Sequence, residues 1–151
     1  MMDLRELYQD MILEHSKHPR NFGPGEGANR HAKGNNPLCG DRVEVHVKSK
    51  DGTIEDVHFE GKGCAISLAS ASLMTEMVKG KSEAEARALF DRFHELVTSK
   101  GPIDMDRYAE LDKLAALSGV RDFPMRVKCA TLAWHTMAAA LDGGGDEVKT
   151  E

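Results

Sequence analysis

The sequence predicts a single α+β domain: a small antiparallel sheet of about three strands, packed against several helices that follow it. Three stretches carry this reading. Arg42 to Lys48 alternates, with Val43, Val45 and Val47 on one side. Asp51-Gly52 then supplies a hairpin turn, and Thr53 to Phe59 is the return strand. Gly61-Lys62-Gly63-Cys64 leads into a run of small and apolar residues in which Ile66, Leu68, Ala69, Leu73, Met77 and Val78 keep the spacing of a buried helix face. From there on, helical periodicity replaces alternation.

Asp3 to about Lys17 reads as an amphipathic helix with Leu4, Leu7, Tyr8, Met11 and Ile12 on one side, stopped by Pro19. Asn21 to Asn36 is rich in glycine and asparagine and reads as an extended loop. It ends in Asn36-Pro37-Leu38-Cys39-Gly40-Asp41, a turn feeding the first strand. In the return strand Ile54, Val57 and Phe59 break strict alternation, which places a bulge near Glu55-Asp56. The central helix ends at Lys79-Gly80. Ser82 and Glu85 form a capping box that opens a helix to about Thr98, with Ala86, Leu89, Phe90, Phe93, Leu96 and Val97 as its apolar face. Gly101-Pro102 breaks it, and Leu111 to Leu117 is a short helix closed by Gly119. Pro124 fits the first turn of a last helix running through Cys129 and Trp134 to about Leu141. One domain therefore spans 1–141, and the charged stretch 142–151 reads as a disordered tail.

The 151 residues suffice for a core without covalent staples, and 20 basic against 25 acidic residues give a net charge of −5. That balance, with no basic cluster interleaved with aromatics, argues against a nucleic-acid surface. No apolar run approaches the ~20 residues that cross a bilayer. The opening Met-Met-Asp-Leu-Arg-Glu-Leu lacks the apolar core of a secretory signal. A cytoplasmic protein, monomeric or weakly dimeric, is expected.

The 3 cysteines cannot all close disulfides with one another, and no Cys-x-x-Cys pair is present. Metal binding or thiol chemistry is the use that fits a reducing compartment. Cys39 and Asp41 flank Gly40, and in an extended segment residues i and i+2 face the same side. Cys64 stands in or just before the first turn of the central helix, where orphan N–H groups and the macrodipole favour a thiolate. Cys129 lies in the first two turns of the last helix. Each thiol is on a different element, near its end, where side chains converge at a domain's rim. Three thiolates and a carboxylate complete a tetrahedral zinc shell. The same donors suit part of an iron–sulfur cluster. For each cysteine taken alone, burial as a small hydrophobe is the plain alternative.

Four stretches, in order, resemble the signatures of the U-type iron–sulfur assembly family. They are Leu7-Tyr8 with Ile12-Leu13-x-His15 and Pro19-Arg20-Asn21; Asn36-Pro37-x-Cys39-Gly40-Asp41; Gly61-x-Gly63-Cys64-Ala65-Ile66-Ser67 with Ala69-Ser70-Ala71-Ser72; and Arg126-Val127-Lys128-Cys129-Ala130-x-Leu132. The resemblance covers about residue 4 to 141. The scaffold branch, IscU and the N-terminal part of NifU, typically has a histidine immediately before the third cysteine, where this chain has Lys128. The chain also carries extra residues, about 91–119, between the second and third cysteine motifs. Both departures resemble the SufU branch.

That resemblance implies a zinc-dependent sulfurtransferase. Cys39, Asp41, Cys64 and Cys129 would hold zinc, and Cys39 would accept sulfur from a SufS-like cysteine desulfurase. A histidine of that partner would take a place on zinc and free Cys39, and the sulfur would pass on to a downstream iron–sulfur scaffold. Arg126, three residues before Cys129, would belong to the functional site and pair with Asp41 once that ligand leaves the metal. The alternatives are a scaffold carrying a transient iron–sulfur cluster on the same residues and a purely structural zinc site. His15, His18, His31, His46, His58 and His94 show no paired spacing and read as surface or packing residues. His135 lies too far round its helix to join Cys129, and Trp134 and Met137 read as core.

Overall fold

The computed structural model describes residues 4–144 and 147–149, with side chains from residue 9 onward. Helix α1 (Leu4–Lys17) is followed by strands β1 (Arg30–Asn36), β2 (Asp41–Lys50) and β3 (Thr53–Lys62). Helices α2 (Ala65–Val78) and α3 (Glu83–Thr98), a 3₁₀ segment (Met105–Asp122), helix α4 (Pro124–Leu141) and strand β4 (Val148–Lys149) complete the chain. The sheet order is β3-β2-β1-β4. The first three strands are antiparallel and β4 runs parallel to β1, so the sheet is mixed and has one strand more than expected.

The hairpin forms as the sequence dictates. Asp51 and Gly52 take φ of 53° and 80°, the two positive values of a type I′ turn. Lys48 pairs with Asp56 and Ser49 with Ile54, which leaves Glu55 as the unpaired residue of the expected bulge. In β2 the odd-numbered positions, Asp41, Val43, Val45, Val47 and Ser49, turn inward.

Three expectations are corrected. The glycine- and asparagine-rich stretch is not all loop, because its last seven residues are β1. Its inward positions are Ala32, Gly34 and Asn36, none a large apolar residue, so the alternation carries no hydrophobic signal. Gly34 is required there: a Cβ would collide with Thr136 Oγ1 of α4, which crosses the strand at this point. The tail from 142 is not wholly free of structure either, since Val148 and Lys149 pair with Gly34 and Asn35. Positions 145–146 and 150–151 of that tail lie outside the described residues, as do the side chains of Leu4, Leu7 and Tyr8.

The short helix expected over Leu111–Leu117 belongs to a longer 3₁₀ segment with non-helical backbone at Tyr108 and Asp112. Tyr108, Leu111, Leu114, Leu117 and Val120 are all buried. They recur at every third position, the repeat of a 3₁₀ turn rather than of an α-helix. This segment packs on α3, whose Ser82–Glu85 capping box is formed in both directions. The core lies between the inner sheet face and α2 and α4, with Val45, Phe59, Met74, Leu132, Trp134 and Met137 inaccessible to solvent. The small residues of α2 let α4 approach closely, and Ser70 Oγ donates to the carbonyl of Ala130 at 2.5 Å. Among the described residues no helix is long and apolar enough to cross a membrane.

Candidate metal centre

Three junctions meet at one end of the sheet: the β1–β2 turn, the β3–α2 connection and the start of α4. The turn is organised by Asn36. Its carbonyl accepts the N–H groups of Cys39 (3.1 Å) and Gly40 (2.9 Å), and its Oδ1 accepts that of Leu38 (3.3 Å). Gly40, at φ 74°, supplies the left-handed step that returns the chain to β2. Cys39 is thereby left exposed, beside Leu38, which is 61% exposed.

Asp41, the first residue of β2, is fully buried. Its Oδ1 accepts the backbone N–H of Cys64 at 2.9 Å, and its Oδ2 lies 3.9 Å from Cys64 Sγ. Gly63 makes room for this contact, because a Cβ at that position would fall on the Asp41 carboxylate. Cys64 is the N-cap of α2, its Sγ accepting from the Ser67 N–H at 3.5 Å, and its thiol is exposed. Cys129, in the second turn of α4, is buried, with Asn36 Nδ2 3.8 Å from its Sγ.

Cys39 Sγ, a carboxylate oxygen of Asp41 and Cys129 Sγ all lie within 4.8 Å of one another. Cys64 reaches Asp41 from the other side and stands just outside that trio. All four residues expected as metal ligands therefore come to one rim. Burial pushes the Cys129 thiol well above its ordinary pKa, and the adjoining Asp41, Cys64 and Cys39 push it the same way. Three sulfurs with one oxygen form a donor set that suits zinc or iron.

Arg126 is not gathered into the donor group. Its guanidinium carbon lies 4.6 Å from the centroid of the Phe123 ring. It lines a groove of about 870 Å³ together with Ile12, Leu13, Ile66 and Phe123. Lys128 is half-buried. His135 packs edge-on to Phe90, 4.8 Å between centroids, away from the thiols. Asn36 and Gly63 shape this rim without being among the residues the sequence marks as donors. Each lies within a cysteine-bearing motif, but its own residue type carries no donor signal.

The fold and its rim define a small α+β domain that brings soft donors from three junctions to one point. The chain belongs to the NifU-like N terminal domain family, which matches residues 7–141. It is 39% identical over 146 residues to the zinc-dependent sulfurtransferase SufU of Bacillus subtilis, covering 95% of this chain and 97% of that one. It is 42% identical over 138 residues to the iron–sulfur cluster assembly scaffold protein IscU of Streptococcus pyogenes, covering 91% and 84%. Among solved structures, a SUF-system iron–sulfur scaffold from Fervidobacterium islandicum superposes with a TM-score of 0.78 at 33% identity, covering 92% of this chain and 99% of that one. Iron–sulfur cluster assembly is thus the setting of the family.

Proposed function

We propose that this chain is a zinc-dependent sulfur acceptor that takes sulfane sulfur from a SufS-like cysteine desulfurase onto Cys39 and hands it to a downstream iron–sulfur scaffold. The observation that carries the reading is the contrast among the donors: Cys39 rides exposed on a glycine turn, whereas Asp41 and Cys129 are buried in the elements that hold them. Cys39, Asp41, Cys64 and Cys129 would hold the zinc. Bound there, the ion would keep the thiols deprotonated and shielded from oxidation.

In the transfer itself, the Cys39 thiolate attacks the outer sulfur of the partner's cysteine persulfide. The partner's sulfur–sulfur bond breaks, its cysteine leaves as thiolate, and Cys39 carries the persulfide. No net oxidant or reductant is consumed. The Asn36-centred turn sets where Cys39 stands, and Gly40 lets it swing out and return. Exposed Leu38, adjacent to the thiol in the chain, and exposed Phe123 in the groove with Arg126 offer a partner apolar contacts.

A scaffold reading uses the same four residues, and the IscU-named relative at 42% identity favours it. Lys128, where the scaffold branch has histidine, favours the acceptor. Metal content and stimulation of a cysteine desulfurase, measured on wild type beside Asp41→Ala, separate the two. One zinc per chain with strong stimulation, both damaged by the substitution, is expected. Iron with labile sulfide and no stimulation would move the assignment to a scaffold.

A further inference from the structure

The opposite face of the sheet carries a second set of potential ligands, independent of the thiol site. In β2 the even-numbered residues point outward, and cross-strand pairing sets them in rows. His31, His46 and His58 form one row; Lys33, Glu44 and Glu60 form the next. One oxygen each from Glu44 and Glu60 and one ring nitrogen of His46 all lie within 4.8 Å of one another.

His46 is the anchor. Its side chain is only 7% exposed although it sits on the outer face. The preceding loop covers it, for Gly25 comes so close that a Cβ there would meet the Cβ atoms of both His46 and His58 at 3.1–3.2 Å. One ring nitrogen, Nδ1, is held by His31 Nδ1 at 2.8 Å. The other, Nε2, is hydrogen-bonded to Glu60 Oε1 at 2.9 Å, the contact a cation between them would replace. A ring fixed through one nitrogen by a neighbour, with the other aimed at carboxylates, is the usual arrangement of a metal-ligating histidine and the group that orients it.

The carboxylates point the same way. Glu44 and Glu60 stand directly opposite each other, a like-charged cross-strand pair that opposes strand pairing unless a cation joins them. Lys33 is the neighbour of Glu44 on β1, and Arg42 and Lys62 are one row along. Among the described residues, none of these three forms an ion pair with either glutamate; the partner Glu60 has is His46 itself, within the cluster.

We propose that Glu44, His46 and Glu60 form a second site, for a divalent first-row cation of the iron(II), manganese(II) or zinc class, with His31 as the positioning residue. One imidazole and two carboxylates form a nitrogen–oxygen set, harder than the thiolates at the rim. The site needs no ligand from the thiol rim and stands whether or not Cys39 accepts sulfur.

Titration of the full chain with cobalt(II) tests it, because thiolate ligation gives an intense sulfur-to-cobalt band and nitrogen–oxygen ligation does not. The expected result is two equivalents bound, the second without a thiolate band. That second equivalent is lost in the Glu44→Gln/Glu60→Gln double variant, is retained in Cys39→Ser, and binds roughly 10-fold more weakly in His31→Ala. Circular dichroism of each variant establishes that the fold is kept. Saturation at one thiolate-bound equivalent, or a second equivalent that survives the double substitution, would overturn the proposal.

Discussion

Asp41 Oδ1 accepts the backbone N–H of Cys64 at 2.9 Å, so one buried carboxylate ties the start of β2 to the N-cap of α2. The same side chain thus holds two elements together and, in the proposed function, would also ligate zinc. Asp41→Asn keeps an oxygen for the N–H while removing the charge, whereas Asp41→Ala leaves that N–H unsatisfied, at a cost of about 1–3 kcal/mol. Urea denaturation of the metal-free proteins is expected to place the asparagine variant near wild type and the alanine variant below it. Both should lose metal. An alanine variant as stable as wild type would show that the Cys64 N–H finds another partner.

The thiols should differ sharply in reactivity once metal is removed by a chelator. Cys39 and Cys64 are exposed, while Cys129 is buried and its pKa is raised by burial and by its acidic neighbours. Iodoacetamide at mildly alkaline pH is expected to modify Cys39 and Cys64 at least ~10-fold faster than Cys129, since the thiolate is the reacting species. Peptide mass spectrometry reads the order directly. Modification of Cys129 at the rate of Cys39 would mean that α4 opens readily without metal.

A third expectation concerns acid. His15 is buried, with Nδ1 2.7 Å from Ser72 Oγ, and burial together with nearby Arg20 lowers its pKa. The unfolded chain therefore takes up the proton first as pH falls. Stability from the neutral ring is full above the ordinary value of about 6.5 and is lost as the pH drops below it. His135, lowered by burial and by His94, acts in the same direction. The urea midpoint of wild type should fall between about pH 7.5 and about pH 5.5. His15→Gln, which keeps a partner for Ser72, should fall less. Equal slopes would assign the acid sensitivity elsewhere.

The elements with strong local signals were legible from residues alone. Asp51-Gly52 announced its turn, Ser82 and Glu85 their cap, and Glu55 its bulge, because each is decided by a few neighbouring residues. β1 was hidden because close passage of α4 demands Gly34 where a strand would normally show an apolar side chain. The 3₁₀ segment was hidden because Leu111, Leu114 and Leu117 at a spacing of three also suit an α-helix over one or two turns. At the rim, the donor types and their places near element ends could be read, but the distances among Cys39, Asp41, Cys64 and Cys129 are set only by tertiary packing. The outer-face cluster was illegible for the same reason. His31, His46, Glu44 and Glu60 come from three strands, and only the register of β1, β2 and β3 makes them neighbours.

The position of Cys129 has a consequence for biosynthesis. A ribosome releases β1, β2, β3 and α2 long before α4, so an emerging chain presents Cys39, Asp41 and Cys64 while their fourth companion is still unmade. Domains fold as units, and distant pairings form late. The Gly34 crossing and the Ser70–Ala130 hydrogen bond both need α4, so Cys129 reaches the rim only once that helix is packed. A chain stalled before α4 therefore offers only Cys39, Asp41 and Cys64, an incomplete set of the donors proposed to hold zinc.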